Sequence, residues 1–228
     1  PSLKQRGRMV AELILEGLQV SAKLGLLAAL IAVAVGLVLG AYAALHRNGV
    51  ADKLIMVITT AFVSMPSFIM GTLLLLLFAV KWMVVPANGA MAGGQLLPVI
   101  TLALYPTAYI TRLTRSSMLD VLGQDYIRTA KAKGVSPGRL VFGHALKNAL
   151  SPVITYLGPM IANIVTGSLV VEKILAVPGI GRTFVSSITD RDYPVIMGTT
   201  IVLAVLVVTM NLLSDILYKA VDPRIRLE

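Results

Sequence analysis

Five long apolar stretches constrain this sequence more than any other feature. They cover roughly residues 24–45, 54–80, 96–118, 150–175 and 195–218. A helix needs about 20 mostly apolar residues to cross a bilayer, and each stretch is long enough. None alternates apolar and polar residues like a barrel strand, and lipid offers no partner for open backbone groups, so the spans are expected to be helices. The sequence therefore predicts an all-α integral membrane protein, a polytopic helical bundle with about five spans.

The composition excludes several classes of protein. Hydrophobic residues make up 57% of the chain and charged residues 14%, whereas soluble domains carry about 45–50% and 25%. The net charge of +9 does not indicate a nucleic-acid partner, because the basic residues lie between the spans. The chain has no cysteine, two isolated histidines, no Ser/His/Asp grouping and no phosphate-binding loop. We therefore expect no catalytic residue, metal, cofactor or ATP site, and no enzyme activity in this chain.

The spans divide the chain into three regions. A polar and amphipathic lead-in covers residues 1–23, the transmembrane domain covers 24–218, and a polar tail covers 219–228. Apolar residues of the lead-in repeat at helical spacing, at Val10, Leu13, Ile14 and Leu18. This pattern indicates either a short amphipathic helix along the interface or an extension of the first span. Lys and Arg are more frequent on the side that holds the C-terminus, which predicts a cytoplasmic tail.

A basic segment at residues 125–149, called the insert below, separates the third span from the fourth. Asp125 is a suitable N-cap, and Gly134 suits the left-handed position that ends a helix. Ser136 followed by Pro137 is typical of a second helix start. The insert is thus predicted to be helix, tight turn, helix. It is either an ordinary solvated basic loop or a rigid helix pair that fits a groove on a soluble partner.

The insert also resembles a known family. Arg128-Thr129-Ala130, three residues, then Gly134 is similar to the loop of permease subunits of binding-protein-dependent ABC importers, which is named for Glu-Ala-Ala, three residues, Gly. Arg128 and Thr129 differ from that motif, and Lys147 stands where many members have proline. Both departures resemble the peptide-permease branch, as do residues 19–25, 167–198 and the tail sequence DPRIR.

This resemblance to the first permease subunit of that branch carries several expectations. The fold would be that of a type I ABC importer permease. The function would be translocation of oligopeptides or dipeptides across the bacterial inner membrane by alternating access. The partners would be a second related permease, two cytoplasmic ATP-binding subunits, an extracytoplasmic binding protein and membrane lipid. Members usually have six spans, so we expect this chain to begin after the first. The ATPase-coupling residues would be Asp125, Arg128, Thr129, Ala130, Lys131, Gly134, Ser136, Arg139, His144 and Lys147.

Polar residues inside the spans allow two interpretations. They either pack helices together or line a solute path, and the candidates are Ser64, Asn163, Thr166, Ser168 and Asn211. Prolines inside the spans, Pro66 among them, are expected to kink the helices. Glu172 and Lys173, near the outer end of the fourth span, are expected to be a pair partner or a surface anchor.

Two alternative functions remain at this point. One is a permease of the same branch for nickel or another small solute. The other is a secondary transporter coupled to an ion gradient, which predicts ionisable residues at mid-membrane depth. The sequence has few such residues.

Overall fold

The computed structural model describes the backbone of residues 1–221. Inside the helices it leaves out the side chains of residues 137, 162, 163, 165–167, 214, 215 and 217–221. Every regular element of the described part is helical, which confirms the all-α prediction. Most of the predicted tail, from residue 222 onward, lies outside the described residues.

Most helices follow one another with short connections, and the long one, residues 82–95, precedes α4. In chain order they are α1 (Val10–Leu45), α2 (Val50–Ser64), α3 (Ser67–Leu74), α4 (Leu96–Leu122), α5 (Asp125–Ala132), α6 (Pro137–Arg139), α7 (Leu146–Ala149), α8 (Ser151–Ile174), α9 (Ile180–Asp190) and α10 (Tyr193–Val221). Two π-helical segments, Leu75–Lys81 and Leu140–Ala145, directly follow α3 and α6.

Three helices of the described part are long and apolar enough to cross a membrane, namely Val10–Leu45, Leu96–Leu122 and Tyr193–Leu213. They coincide with the first, third and fifth predicted spans. The fourth predicted span is occupied by α8, several of whose side chains lie outside the described residues. The lead-in shows no separate interfacial helix, because α1 runs without a break from Val10. Of the two interpretations of the lead-in, the structure shows the extension of the first span.

The second predicted span is broken at Pro66. Helix α2 ends at Ser64, Pro66 has extended backbone angles (φ −57°, ψ 138°), and α3 begins at Ser67. The two sides are long and apolar enough to cross a membrane only together, as a broken span or a re-entrant loop. The kink expected at Pro66 is a complete break between two helices, because proline lacks an N–H and also disfavours helical angles in the residue before it.

The chain forms two compact units. The first comprises Pro1–Leu30, Met65–Tyr105 and Pro159–Leu212. Its main apolar cluster joins α1, α4, α8 and the turn that follows α8. The buried members are Leu24, Ala28, Leu97, Val99, Leu102, Ala103, Val171, Leu175 and Val177.

The second unit comprises Ile31–Ser64, Pro106–Gly158 and the chain from Leu213. Here α1 and α4 approach closely at two glycines, Gly36 and Gly40, which lie one turn apart. A Cβ atom at Gly40 would be 2.6 Å from the Thr111 carbonyl oxygen, so only glycine permits this contact. Small residues spaced in this way are typical of close contacts between membrane helices.

Candidate functional site

The insert begins with α5. This helix starts one residue earlier than it would if Asp125 were its N-cap, as the sequence predicts. Gln124 has extended angles (φ −75°, ψ 150°) and occupies the N-cap position, so Asp125 is the first helical residue. The amides of Ile127 and Arg128 both donate to the Gln124 carbonyl. The assignment of Asp125 as the cap was therefore wrong, because here the cap is set by backbone geometry without a capping side chain. The carboxylate of Asp125 still lies in the first turn, where negative charge favours the helix dipole.

The turn between the two helices of the insert depends on Gly134. This residue has a φ of +77°, as predicted for a glycine that ends a helix. Its amide donates to the Lys131 carbonyl (3.1 Å), and the Val135 amide donates to the Ala130 carbonyl (3.2 Å). These two bonds form a Schellman motif, which satisfies the last carbonyls of α5. No atom would lie within 4 Å of a Cβ here, so backbone conformation alone selects glycine.

The second helix of the insert starts at Pro137, as the sequence predicts. The Leu140 amide donates to the Ser136 carbonyl at 2.9 Å, which closes the first turn. The expected α-helix is interrupted by the π-helical segment Leu140–Ala145. Only Leu150 separates α7 from α8, and its amide keeps a helical bond to Leu146 (3.0 Å). The insert thus leads almost without interruption into the fourth predicted span.

One side of the insert is anchored to the second unit. An apolar cluster there joins α1, α4, α5 and the segment from 140 to 149. Its buried members are Ala44, Met118, Ile127, Ala145 and Ala149. Tyr126 of α5 also receives a hydrogen bond from the Asn148 side-chain amide of α7 (2.7 Å). The two helices of the insert are therefore held to each other and to the ends of α1 and α4.

The other side of the insert is open and basic. All ten predicted coupling residues are exposed except Ala130, which is half-buried. The exposed cations of this face are Arg128, Lys131, Lys133, Arg139 and Lys147. Among them stands Phe142, whose exposed fraction of 73% is large for an aromatic residue. A segment that carries several exposed cations and an exposed aromatic side chain is typical of a surface that binds another protein.

Phe142 was missed in the sequence, although an aromatic residue on a basic helix is a signal that could have identified it. A second omission is an ion pair near the insert. Asp52, in the first turn of α2, pairs with Arg115 of α4. Nothing local could have indicated this pair, since its members are 63 residues apart in the sequence.

Comparison with known proteins then decides the family. Residues 36–227 match the family described as the inner membrane component of binding-protein-dependent transport systems. The chain belongs to this family. It is 51% identical over 228 residues to the dipeptide transport system permease protein DppB of Bacillus subtilis, covering 100% of this chain and 74% of that protein. It is 42% identical to the oligopeptide transport system permease protein OppB of Haemophilus influenzae, covering 99% of this chain and 75% of that protein.

Solved structures confirm the fold of this permease. The inward-facing MetNI methionine ABC transporter aligns with a TM-score of 0.75 at 16% identity, covering 92% of this chain and 97% of that chain. An amino acid ABC transporter determined with histidines aligns with a TM-score of 0.71 at 18% identity, covering 92% and 94%. The predicted fold class, that of a type I ABC importer permease, is thereby confirmed.

The polar residues predicted inside the spans of this permease differ in their surroundings. Ser64 is exposed at the last position of α2, and Asn211 is exposed on α10. Ser168 is buried on α8 and donates a hydrogen bond to Glu172. The side chains of Asn163 and Thr166 lie outside the described residues. For Ser168 the structure shows a hydrogen-bonded structural role, whereas a place in the solute path stays a prediction for the others.

Glu172 is buried rather than a surface anchor, and it organises the start of α9. Its side chain has an exposed fraction of 0%. One carboxylate oxygen accepts from the Ser21 hydroxyl (2.6 Å), and the other accepts from the amides of Gly181 (2.8 Å) and Arg182 (3.2 Å). The Ser21 oxygen in turn accepts from the Ile180 amide (3.0 Å). Three free amides of the first turn of α9 are thus satisfied from α1 and α8.

Lys173, the neighbour of Glu172, points to a different partner. Its ammonium group is exposed and donates to the Ser186 hydroxyl of α9 at 2.8 Å. Lys173 therefore has a hydroxyl partner at an exposed position. For Glu172 the partners are hydroxyl and amide groups.

Asp192, between α9 and α10, holds the start of the chain. Its buried carboxylate accepts hydrogen bonds from the Ser2 hydroxyl and from the amides of Leu3 and Lys4 (3.2 Å each). Burial by itself would raise the pKa of Asp192, but these bonds and one from the Val195 amide outweigh it and hold the pKa below its usual value. The carboxylate therefore stays charged near neutral pH and keeps residues 2–4 folded onto the end of α9.

Proposed function

We propose that this chain is a permease subunit of an ATP-driven importer for dipeptides or oligopeptides. The exposed basic face of the insert carries the proposal, because it is open to a partner and the insert is anchored directly to the ends of two spans. The relatives named above, a dipeptide permease and an oligopeptide permease, support peptides as the cargo. Transport proceeds by alternating access, a switch between two packings of the spans that a partner biases.

The insert is the docking site for a cytoplasmic ATP-binding subunit. Two such subunits serve this chain and a second, related permease. The insert of each permease therefore occupies a groove on one ATP-binding subunit. Phe142 enters an apolar pocket of that groove, and the exposed cations meet acidic residues at its edge. Because Ile127 anchors α5 to Met118 of α4, a displacement of the insert is passed on to a span.

The orientation follows from the same surface. The insert and the C-terminus lie on the cytoplasmic side, as the distribution of Lys and Arg indicates. Helix α9 and the segment that Asp192 holds then lie on the outer side. An extracytoplasmic binding protein delivers the peptide there.

The docking role is tested in the complete complex reconstituted into vesicles. Reversal of two charges, Arg128→Glu with Lys131→Glu, or the change Gly134→Pro, leaves membrane insertion intact. Each lowers peptide uptake per ATP hydrolysed by roughly tenfold or more. The charge reversal removes charge-paired contacts to the groove, and proline cannot adopt the positive φ of Gly134 or donate its hydrogen bond to Lys131. The matched control reverses two exposed cations of the first unit, Arg6→Glu with Lys23→Glu, and keeps the normal ratio. Normal transport by the insert variants would refute the docking role.

Cross-linking provides a second, independent measurement. The chain has no cysteine, so Lys131→Cys introduces a unique attachment point for a photoreactive label. We expect the label to react with an ATP-binding subunit, while the same label at Arg6→Cys does not. Absence of any ATPase adduct from Lys131→Cys contradicts the proposal.

The cargo is tested by uptake. The complex is supplied with a panel of dipeptides, longer peptides and nickel ions, each with its own binding protein where one is needed. Peptide uptake that depends on ATP supports the proposal. Uptake of nickel alone refutes the peptide assignment while leaving the docking role intact.

A further inference from the structure

The ion pair between Asp52 and Arg115 has a strictly defined geometry. The Arg115 Nε donates to Asp52 Oδ1 at 2.5 Å, and its Nη2 donates to Oδ2 at 2.7 Å. The Asn48 amide, in the turn before α2, donates to the same Oδ2 at 2.8 Å. Asp52 has an exposed fraction of only 2%. A carboxylate and a guanidinium joined by two parallel bonds allow little variation in distance or angle, which a lysine could not reproduce.

The ion pair lies next to the apolar cluster that anchors the insert. Arg115 precedes Met118 by three residues on α4, so the two side chains lie on the same face one turn apart. Met118 packs in the cluster that contains Ile127 of α5. The ion pair and the apolar cluster therefore lie on neighbouring turns of α4, so α4 connects the insert to the first turn of α2. All of these residues belong to the second unit.

Stability alone does not account for this ion pair, in which the Asp52 side chain is 3% exposed and the Arg115 side chain 23% exposed. Removing charge from water is costly, and apolar residues of similar volume often stabilise a protein as well or better. A forked ion pair fixes the distance and the angle between the two helices that it joins. Here it joins α2 to α4, as the apolar cluster joins α5 to α4.

We propose that Asp52 and Arg115 are a positioning pair that makes α2 move together with the insert. When the ATP-binding subunit displaces α5, α4 follows through the apolar cluster, and α2 follows through the ion pair. Without the pair, ATP hydrolysis continues but part of the motion is lost between α4 and α2. This inference rests on the proposed docking role of the insert, and it assigns to these two residues the step after docking.

The test measures peptides transported per ATP hydrolysed by folded complexes, isolated by size exclusion and reconstituted into vesicles. The variants are Asp52→Asn, Arg115→Gln and Arg115→Lys, the last of which keeps the charge but loses the fork. Each is expected to lower the ratio by roughly tenfold, the effect of losing one strongly coupled pair. ATP hydrolysis and cross-linking from Lys131→Cys stay normal, because docking is unaffected. A purely structural pair would lower the yield of folded complex but leave this ratio unchanged.

Combining the changes shows whether the two residues act as a unit. The double variant Asp52→Asn with Arg115→Gln should be no worse than either single variant, since the pair can be broken only once. The matched control is Glu16→Gln, which removes an exposed ion pair to Arg8 with the same 2.5 Å separation. It should leave the ratio unchanged, as expected for a solvent-exposed pair.

Three outcomes overturn the inference. They are a normal ratio in Asp52→Asn and Arg115→Lys, effects that multiply in the double variant, and an equal loss in Glu16→Gln. If Asp52→Asn does not yield folded complex, Arg115→Lys decides the question by itself. Failure of the docking role is recognised separately, because charge reversal at Arg128 and Lys131 would then leave transport normal.

Discussion

The close contact between α1 and α4 predicts that Gly40 tolerates no side chain. A Cβ at this position would lie 2.6 Å from the Thr111 carbonyl oxygen and 2.6 Å from the Thr114 Cβ, where ordinary contacts begin at 3.4 Å. Backbone and a β-branched residue cannot yield as a flexible side chain would. The helices must therefore separate, and Gly40→Val must separate them further than Gly40→Ala does.

The size of the effect follows from the cost of overpacking. Forcing extra carbon atoms into a tight contact costs about 1–3 kcal/mol. In a domain of about 150–250 residues, each kcal/mol lowers the unfolding midpoint by about 2–4 °C. Gly40→Val should therefore lower the midpoint by about 2–12 °C, with a smaller decrease for Gly40→Ala.

The assay is thermal unfolding of the purified complex in detergent, followed by intrinsic fluorescence. The control is Gly138→Ala in the insert, where a Cβ would have no atom within 4 Å. Alanine is the better helix former, so this variant should be as stable as the natural protein or more so. An unchanged midpoint in Gly40→Val would refute the close approach of α1 and α4.

Three further predictions concern the turn of the insert and the two buried carboxylates. Gly134→Ala should lower the free energy of unfolding by about 1–2 kcal/mol, the cost of a left-handed backbone at an L-residue. The unfolding midpoint should fall in this variant but not in Gly138→Ala. Equal midpoints in the two variants would contradict the positive φ of Gly134. Asp192→Asn should destabilise the protein at neutral pH. Because the folded pKa of Asp192 lies below the unfolded value of about 3.9, its stabilisation is present above that value and lost as the pH falls through the folded pKa. When unfolding midpoints are measured from pH 7 downward, that of Asp192→Asn should converge with that of the natural protein only below about pH 4. A difference between the two midpoints that does not depend on pH would argue against a charged acceptor at Asp192. Glu172→Ala should be less stable than Glu172→Gln, because it leaves the buried amides at the start of α9 unpaired at about 1–3 kcal/mol each, whereas glutamine keeps one acceptor oxygen; equal midpoints would show that water replaces the carboxylate.

Local rules predicted the insert well. The positive φ of Gly134 and the helix start at Pro137 follow from the backbone preferences of glycine and proline. The same rules explain the break at Pro66, although the apolar run alone had indicated one span. Boundaries shifted by one residue, as at Gln124, because a cap can be formed by backbone geometry that no side chain signals.

Contacts between distant parts of the chain could not be predicted. Asp52 meets Arg115 across 63 residues, and Ser21 meets Glu172 across 151. A single sequence contains no signal for such pairs, because each residue is compatible with a surface position when considered alone. For the same reason the span pattern identified Glu172 as a residue near a helix end but not as a buried acceptor.

The π-helical segment Leu140–Ala145 has a consequence for the length of the chain in this region. A π turn contains one residue more than an α turn, so the segment stores an extra residue between the insert and α8. Deletion of a single residue there would let the helix become regular with little rotation of the residues before it, whereas a further deletion from the regular helix would rotate them by about 100° around the axis of α8. The number of residues between Pro137 and Ser151 therefore sets the direction in which Phe142 and its neighbouring cations face.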